Sequence, residues 1–269
     1  MLGLVVRTLL FQRALRAIRE DGYTALAWKI LWNLPGLRSL VVWRFTVATS
    51  NIVALEEALE FAFSKRFGAL ITPVQVRSEI QALCENVRGR RPRTVLEIGT
   101  RHGGTFFLFS RIAAPDAFLV SVDLPREDLK PWRSLYAHLG RKGQEVFAID
   151  GDSHANSTVE SVSRVLGGRK VDFLFIDGDH SYEGVRHDFE NYVGFLNDAG
   201  IVAFHDINPD HWTRFGKPTR ACAGEVYRFW AEAKMKYPHV EFVDNPDEDG
   251  FGIGILFVKG SSMALVPPN

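Results

Sequence analysis

The chain has 269 residues; 32 Lys and Arg balance 32 Asp and Glu, and 46% of the residues are hydrophobic. That apolar content excludes a disordered chain, and the length suits one sizeable globular domain or a domain with an appendage. Zero net charge supplies no global field for a polynucleotide, so nucleic acid is not an expected partner. Two distant cysteines, Cys84 and Cys222, exclude a disulfide scaffold and a cysteine-rich zinc site and make a cytoplasmic location the default.

Residues 1–50 carry seven basic side chains against Glu20 and Asp21, so the first fifty residues form a different kind of surface from the rest. Leu4, Val5, Leu9, Ala14, Leu15 and Ile18 recur at helical spacing with Arg13, Arg16 and Arg19 between them, which reads as a basic amphipathic helix. Trp28, Trp32 and Trp43 continue the aromatic and basic character. Two readings stand for this region: docking on an anionic membrane surface, or a helical cap on the main domain or on a second subunit of a homo-oligomer. The longest uncharged run, 45–55, has 11 residues and is too short to span a bilayer as a helix. No leader peptide is expected, because no continuous apolar core precedes a small-residue cleavage site.

A second helix is expected near 52–64. Thr72-Pro73-Val74-Gln75 then offers an N-cap, a first-turn proline and a capping-box partner for a helix ending near Val87. Gly89 and Pro92 stop that helix and lead into the main sheet. Short apolar runs at 94–98, 118–122, 145–149, 171–176 and 201–204 read as buried strands. Helices are expected between them at 104–113, 127–139, 157–166 and 181–197. A last helix near 223–236 precedes strands at 240–243 and 251–258, close enough in sequence for an antiparallel hairpin. The predicted fold is a doubly wound, mostly parallel seven-stranded α/β sheet with that hairpin. A helical extension over 1–71 precedes a Rossmann-like domain over 72–269.

In such a sheet ligands bind beyond the carboxyl ends of the strands, where strand order reverses. The first strand runs into Glu97-Ile98-Gly99-Thr100, and Gly99 and Gly103 permit a sharp turn and a close ligand. The G-x-x-x-G spacing differs from the G-x-G-x-x-G of a dinucleotide fingerprint, and Glu97 suits a cationic or hydroxylated ligand better than a diphosphate. Asp123 ends the second strand, where a carboxylate can accept from two ribose hydroxyls or cap a helix. Asp152 and Ser153 stand at the same level after the third strand, with polar groups for an adenine edge.

The segments VLEIGTRHGG, VSVD, IDGDS, FLFIDGDHSYEGV and AFHDI together resemble the class I S-adenosylmethionine-dependent methyltransferases over about residues 72–258. The last two are similar to metal-dependent small-molecule and sugar O-methyltransferases. The resemblance implies that Glu97, Gly99, Thr100 and Gly103 frame the methionine part of S-adenosylmethionine. It also implies that Asp123 binds ribose and that Asp152 and Ser153 lie near adenine. Asp177 and Asp206 are the principal expected ligands of a divalent cation, magnesium by its preference for carboxylates. The related enzymes commonly place two acidic residues where this chain has His205-Asp206, so His205 either binds a softer metal or sits outside the ligand shell. His180 matches the base position of some sugar methyltransferases and Asp179 that of others; an imidazole titrates near neutrality, which favours His180. Trp212, Arg214, Lys217 and Arg220, within 207–223, suit either a lid over a sugar or anionic acceptor or an ordinary surface loop.

The expected acceptor is a hydroxyl on a sugar, glycolipid or secondary metabolite. An NAD-dependent oxidoreductase and a non-catalytic membrane-associated binding subunit are the competing readings.

Overall fold

Residues 27, 30–32, 34–64, 70–126, 130–219 and 223–258 are described by the computed structural model of this chain. The amphipathic helix expected within 1–20 and Trp28 lie outside them. Seven strands form one sheet: β1 (Thr94–Ile98), β2 (Phe118–Asp123), β3 (Glu145–Asp150), β4 (Val171–Ile176), β5 (Leu196–His205), β6 (His239–Phe242) and β7 (Ile253–Phe257). Their order is β3-β2-β1-β4-β5-β7-β6. The first five are parallel, and β7 runs antiparallel to both β5 and β6, which is the expected closing hairpin.

The two-residue period of a strand sends alternate side chains to opposite faces. Val95, Phe173 and Phe175 join one buried cluster, whereas Leu96, Ile98, Leu174 and Ile176 join the other. The first face is covered by α1 (Pro35–Thr49), α2 (Leu55–Ala62), α3 (Arg77–Arg88), α4 (Gly104–Ile112) and α5 (Lys130–Tyr136). The second carries α6 (Asn156–Leu166), α7 (Tyr182–Tyr192) and, after the short α8 (His211–Phe215), α9 (Val226–Ala233). Cover on both faces is what near-continuous apolar strands require, and the fold is doubly wound as predicted.

Helices α1 and α2 are built into the first face. Phe45 packs edge-on to Phe61 and Phe107, with centroids 5.7 and 6.3 Å away, and buried Trp32 meets Trp132 at 5.6 Å. The other side of α1 exposes Leu37, Leu40, Trp43 and Val47. Among the described residues no helix is long and apolar enough to cross a membrane.

The structure corrects three of the expectations. Thr72 caps no helix: α3 begins at Arg77, after Val76, with no capping side chain. Tertiary contacts take the local signal away, since the chain at 71–73 is pressed against Gly104 and the Gln75 amide reaches Asp177. The strand expected as buried at 145–149 is an exposed sheet edge, with Phe147 stacked on Phe118 at 4.7 Å. The helix expected to run to 197 ends at Tyr192 and passes through a single turn, Val193–Phe195, into β5. That strand starts five residues before its predicted first residue, Ile201, beside an irregularity in register between Val171 and Phe173.

Candidate functional site

The strand order reverses between β1 and β4. There a cavity of about 870 Å³ opens at the strands' carboxyl ends, within the size range of sites that enclose a small ligand. Asp123, Asp177 and Asp206, from three different strand ends, all line it, together with Gly99, Thr100, Asp152, Ser153, Asp179, His180 and His205. Glu97 and Gly103, also expected at the ligand, do not line it; Glu97 accepts from Thr105 and Gly103 precedes Gly104, both of which do.

Between the ends of β2 and β4, β1 turns at Gly99, whose φ is +91°. A Cβ there would lie 2.0 Å from the Asp177 carbonyl oxygen, so β1 and β4 can approach this closely beside the cavity only because residue 99 has no side chain. Asp123 accepts from the backbone N–H of Arg101 at 2.5 Å and of Leu124 at 2.8 Å, one on each oxygen, which fixes the carboxylate at the cavity wall. Asp152 accepts from the His154 N–H at 2.9 Å, and the Ser153 carbonyl accepts from the Tyr192 hydroxyl at 2.9 Å. The first closes the turn after β3, and the second holds that loop against α7.

Glu97 is fully buried and accepts from the Thr105 hydroxyl of α4. Burial pushes its carboxyl up to about 8, with Asp177 and Asp123 adding to the rise. Its folded-state value therefore lies above the unfolded 4.5. The stabilising contribution is complete below pH 4.5 and is lost as pH rises to about 8. Urea unfolding should show wild-type stability falling across that window relative to Glu97→Gln, by at most about 1.4 kcal/mol per pH unit. A flat difference between the two proteins would show that Glu97 ionises freely.

On the side of β4 and β5, Asp177, His180 and Asp206 each present a ligand atom, all within 4.8 Å of one another. His180 Nε2 lies 3.3 Å from Asp177 Oδ1, and its Nδ1 lies 3.1 Å from Asp206 Oδ2. His205 Nδ1 also faces both carboxylates, at 3.2 and 3.4 Å, and its Nε2 is buried without a hydrogen-bond partner. Asp206 adopts a left-handed backbone, φ 59°, a conformation that aspartate tolerates better than most residues. Its Oδ1 accepts from the Phe251 N–H at 3.1 Å. Burial alone would raise Asp177, but the two histidines reverse this and hold it below the usual carboxylate range. Burial alone would lower His205, and the two aspartates instead lift it well above 6.5. Two carboxylates and an imidazole converging on one point are a donor set that fits a hard or borderline divalent cation.

Asp179 has a different local role. Its Oδ1 accepts from the Ser181 N–H at 2.8 Å, closing the turn into α7, where the Ser181 hydroxyl caps Gly184. Three contributors escaped the sequence reading. Gln75 donates to Asp177 Oδ2 at 2.7 Å, Phe251 lines the cavity, and fully buried Asp188 lies 3.3 Å from His154 Nε2. Asp188 sits at the seventh residue of α7, and its helical spacing from Val185 and Tyr192 onto the buried face was the one signal available.

A methyltransferase-domain family matches residues 96–207. Among solved structures, the chain is similar to the O-methyltransferase TomG of Streptomyces achromogenes, with 19% identity, 80% of this chain and 95% of that one covered, and a TM-score of 0.53. It is also similar to an O-methyltransferase of Bacillus cereus, at 17% identity, 79% and 97% coverage and a TM-score of 0.51. The uncharacterized protein y4gI of Sinorhizobium fredii is 26% identical over an alignment of 192 residues that covers 67% of this chain and 19% of that protein. The chain thus spans about a fifth of the length of the curated relatives it matches. With strand order, cavity and matched segment in agreement, the chain has the fold of the class I S-adenosylmethionine-dependent methyltransferases, and residues 96–207 are similar to a methyltransferase domain.

Proposed function

We propose that the protein transfers a methyl group from S-adenosylmethionine to a hydroxyl of a small molecule, in the class of sugars, glycolipids and secondary metabolites, with the help of a divalent cation, magnesium foremost. One observation carries this reading: Asp177 and Asp206 converge, with His180 beside them, in the same cavity that Asp123 lines from the end of β2 and the Gly99 turn lines between them. When bound, S-adenosylmethionine supplies an electrophilic methyl group, and a cation supplies the Lewis acidity that makes a neutral hydroxyl a competent nucleophile.

The chain's own residues supply the rest. Asp123, held by two backbone N–H groups, accepts from the paired hydroxyls of a ribose. Asp177 and Asp206 hold the cation. His180, beside both carboxylates, is left out of the cation's shell and takes the proton of the acceptor hydroxyl, a role for which Asp179 is less suited because it is engaged in its own turn. Val74 and Phe251 form an apolar wall for an acceptor ring. Bringing both reactants into one cavity contributes much of the acceleration.

The test is a screen of hydroxylated acceptors with labelled cofactor, in a chelator and then in magnesium, manganese or zinc. Label should appear on an acceptor oxygen only with added cation. Calorimetry should show the demethylated cofactor product binding and NAD not binding; the reverse would restore the oxidoreductase reading.

A further inference from the structure

A second cavity, of about 600 Å³, lies at the amino ends of β1, β2 and β3, across the sheet from the methyltransferase cavity. Four arginines line it: Arg88 and Arg91 ahead of β1, Arg111 in the last turn of α4, and Arg141 ahead of β3. Its single carboxylate, Glu56, pairs with Arg88 at 3.2 Å where both are well exposed. Among the described residues no carboxylate pairs with Arg91, Arg111 or Arg141.

Two of these arms are held in place with donors to spare. Arg111 is 5% exposed, lies 4.0 Å over the Phe107 ring and donates through Nη1 to the Leu139 carbonyl at 2.7 Å. Arg141 donates to the Ala113 carbonyl at 2.6 Å. The Nε groups of both are buried without a partner. Burial above all, and secondarily the neighbouring Arg141, push Arg111 down to about 9. The amino end of α2 opens at the same place, and no side chain caps it.

We infer that this cavity binds a phosphate group, gripped by Arg91 and Arg141 with Arg111 behind them. Several guanidinium forks exceed what one carboxylate can offset, whereas a phosphate brings up to two charges and three acceptor oxygens. The group could come from a free phosphate compound or from a phospholipid headgroup. The second source draws on the exposed apolar row of α1, since Val53, just beyond that helix, is also exposed and lines the cavity. No acidic residue occurs from 22 to 55.

Calorimetry and thermal unfolding of the full chain, with inorganic phosphate or pyrophosphate against chloride at equal ionic strength, test the site. A saturable rise in melting temperature specific to the phosphates is expected. Affinity should fall about tenfold in Arg91→Asn. Arg91 has φ 48°, where asparagine is comfortable, so this variant should fold at least as well as the wild type. Asp177→Asn should leave phosphate affinity unchanged, which separates the two cavities. In the lipid arm, phosphatidylcholine vesicles with and without phosphatidylglycerol are floated with the protein. Binding to the anionic vesicles alone, weakened by Arg91→Asn and abolished by Leu40→Glu, identifies a headgroup as the source. Phosphate binding without flotation identifies a free compound. The inference is overturned if phosphates act no differently from chloride and the vesicles do not bind, or if Arg91→Asn matches wild type in both arms.

Discussion

Replacing Asp177 with alanine should reduce cation-dependent methyl transfer by about 10³-fold, the equivalent of the several kcal/mol that a bound cation contributes to a developing oxyanion. Asp177 is the hub of its end of the cavity: it receives Gln75 at 2.7 Å, His205 at 3.2 Å and His180 at 3.3 Å. Affinity for the demethylated cofactor should change little, because Asp123 is held by its own backbone partners at the end of β2 and the Gly99 turn meets the main chain of Asp177, not its carboxylate. The split between turnover and binding is the informative readout, obtained from steady-state kinetics beside calorimetry. Both Asp177→Ala and Asp177→Asn leave buried His205 without one of its two counter-charges, but only the asparagine keeps the shape, so the pair of variants separates lost charge from lost packing. Unchanged turnover in both variants would refute the cation assignment.

The second large effect is expected at Gly99. An alanine there would place its Cβ 2.0 Å from the Asp177 carbonyl oxygen and 2.9 Å from the Gly178 nitrogen, both backbone atoms that cannot swing aside. The left-handed φ of +91° adds strain to the clash. Gly99→Ala should therefore cost about 3 kcal/mol or more in chemical denaturation and abolish cofactor binding. Gly168 is the comparison: it has φ +85° and open space around its Cβ position, so Gly168→Ala reports the strain alone, about 1–2 kcal/mol. If the two variants were equally stable, the close approach of β1 and β4 at their carboxyl ends would be wrong.

Much of this arrangement could be read from sequence because it rests on local, repeated signals. Runs such as Val95-Leu96 and Phe173-Leu174-Phe175 bury both faces, so β1 and β4 were placed at both ends. The acidic residues that end β2, follow β4 and follow β5 were legible as a set because each stands where a parallel sheet presents ligands. What failed depends on partners far away in the chain. Gln75 resembles a capping residue until its amide is seen on an aspartate 102 positions later. Val146 to Ile149 read like any buried strand, since nothing local reveals that β3 has a neighbour on one side only. The pairing of His154 with Asp188 and the convergence of Arg88, Arg91, Arg111 and Arg141 arise from where helices end, which the hydrophobic pattern does not encode.

The packing of Phe45 and Phe61 onto Phe107 bears on how this molecule can be shortened. A minimal catalytic unit cut just ahead of Thr72 would strip that aromatic cover from α4 and present a broad greasy flank to solvent, the kind of surface on which soluble monomers aggregate. Grafting or trimming must start upstream of Trp32, so that the amino-terminal helices travel with the machinery they roof.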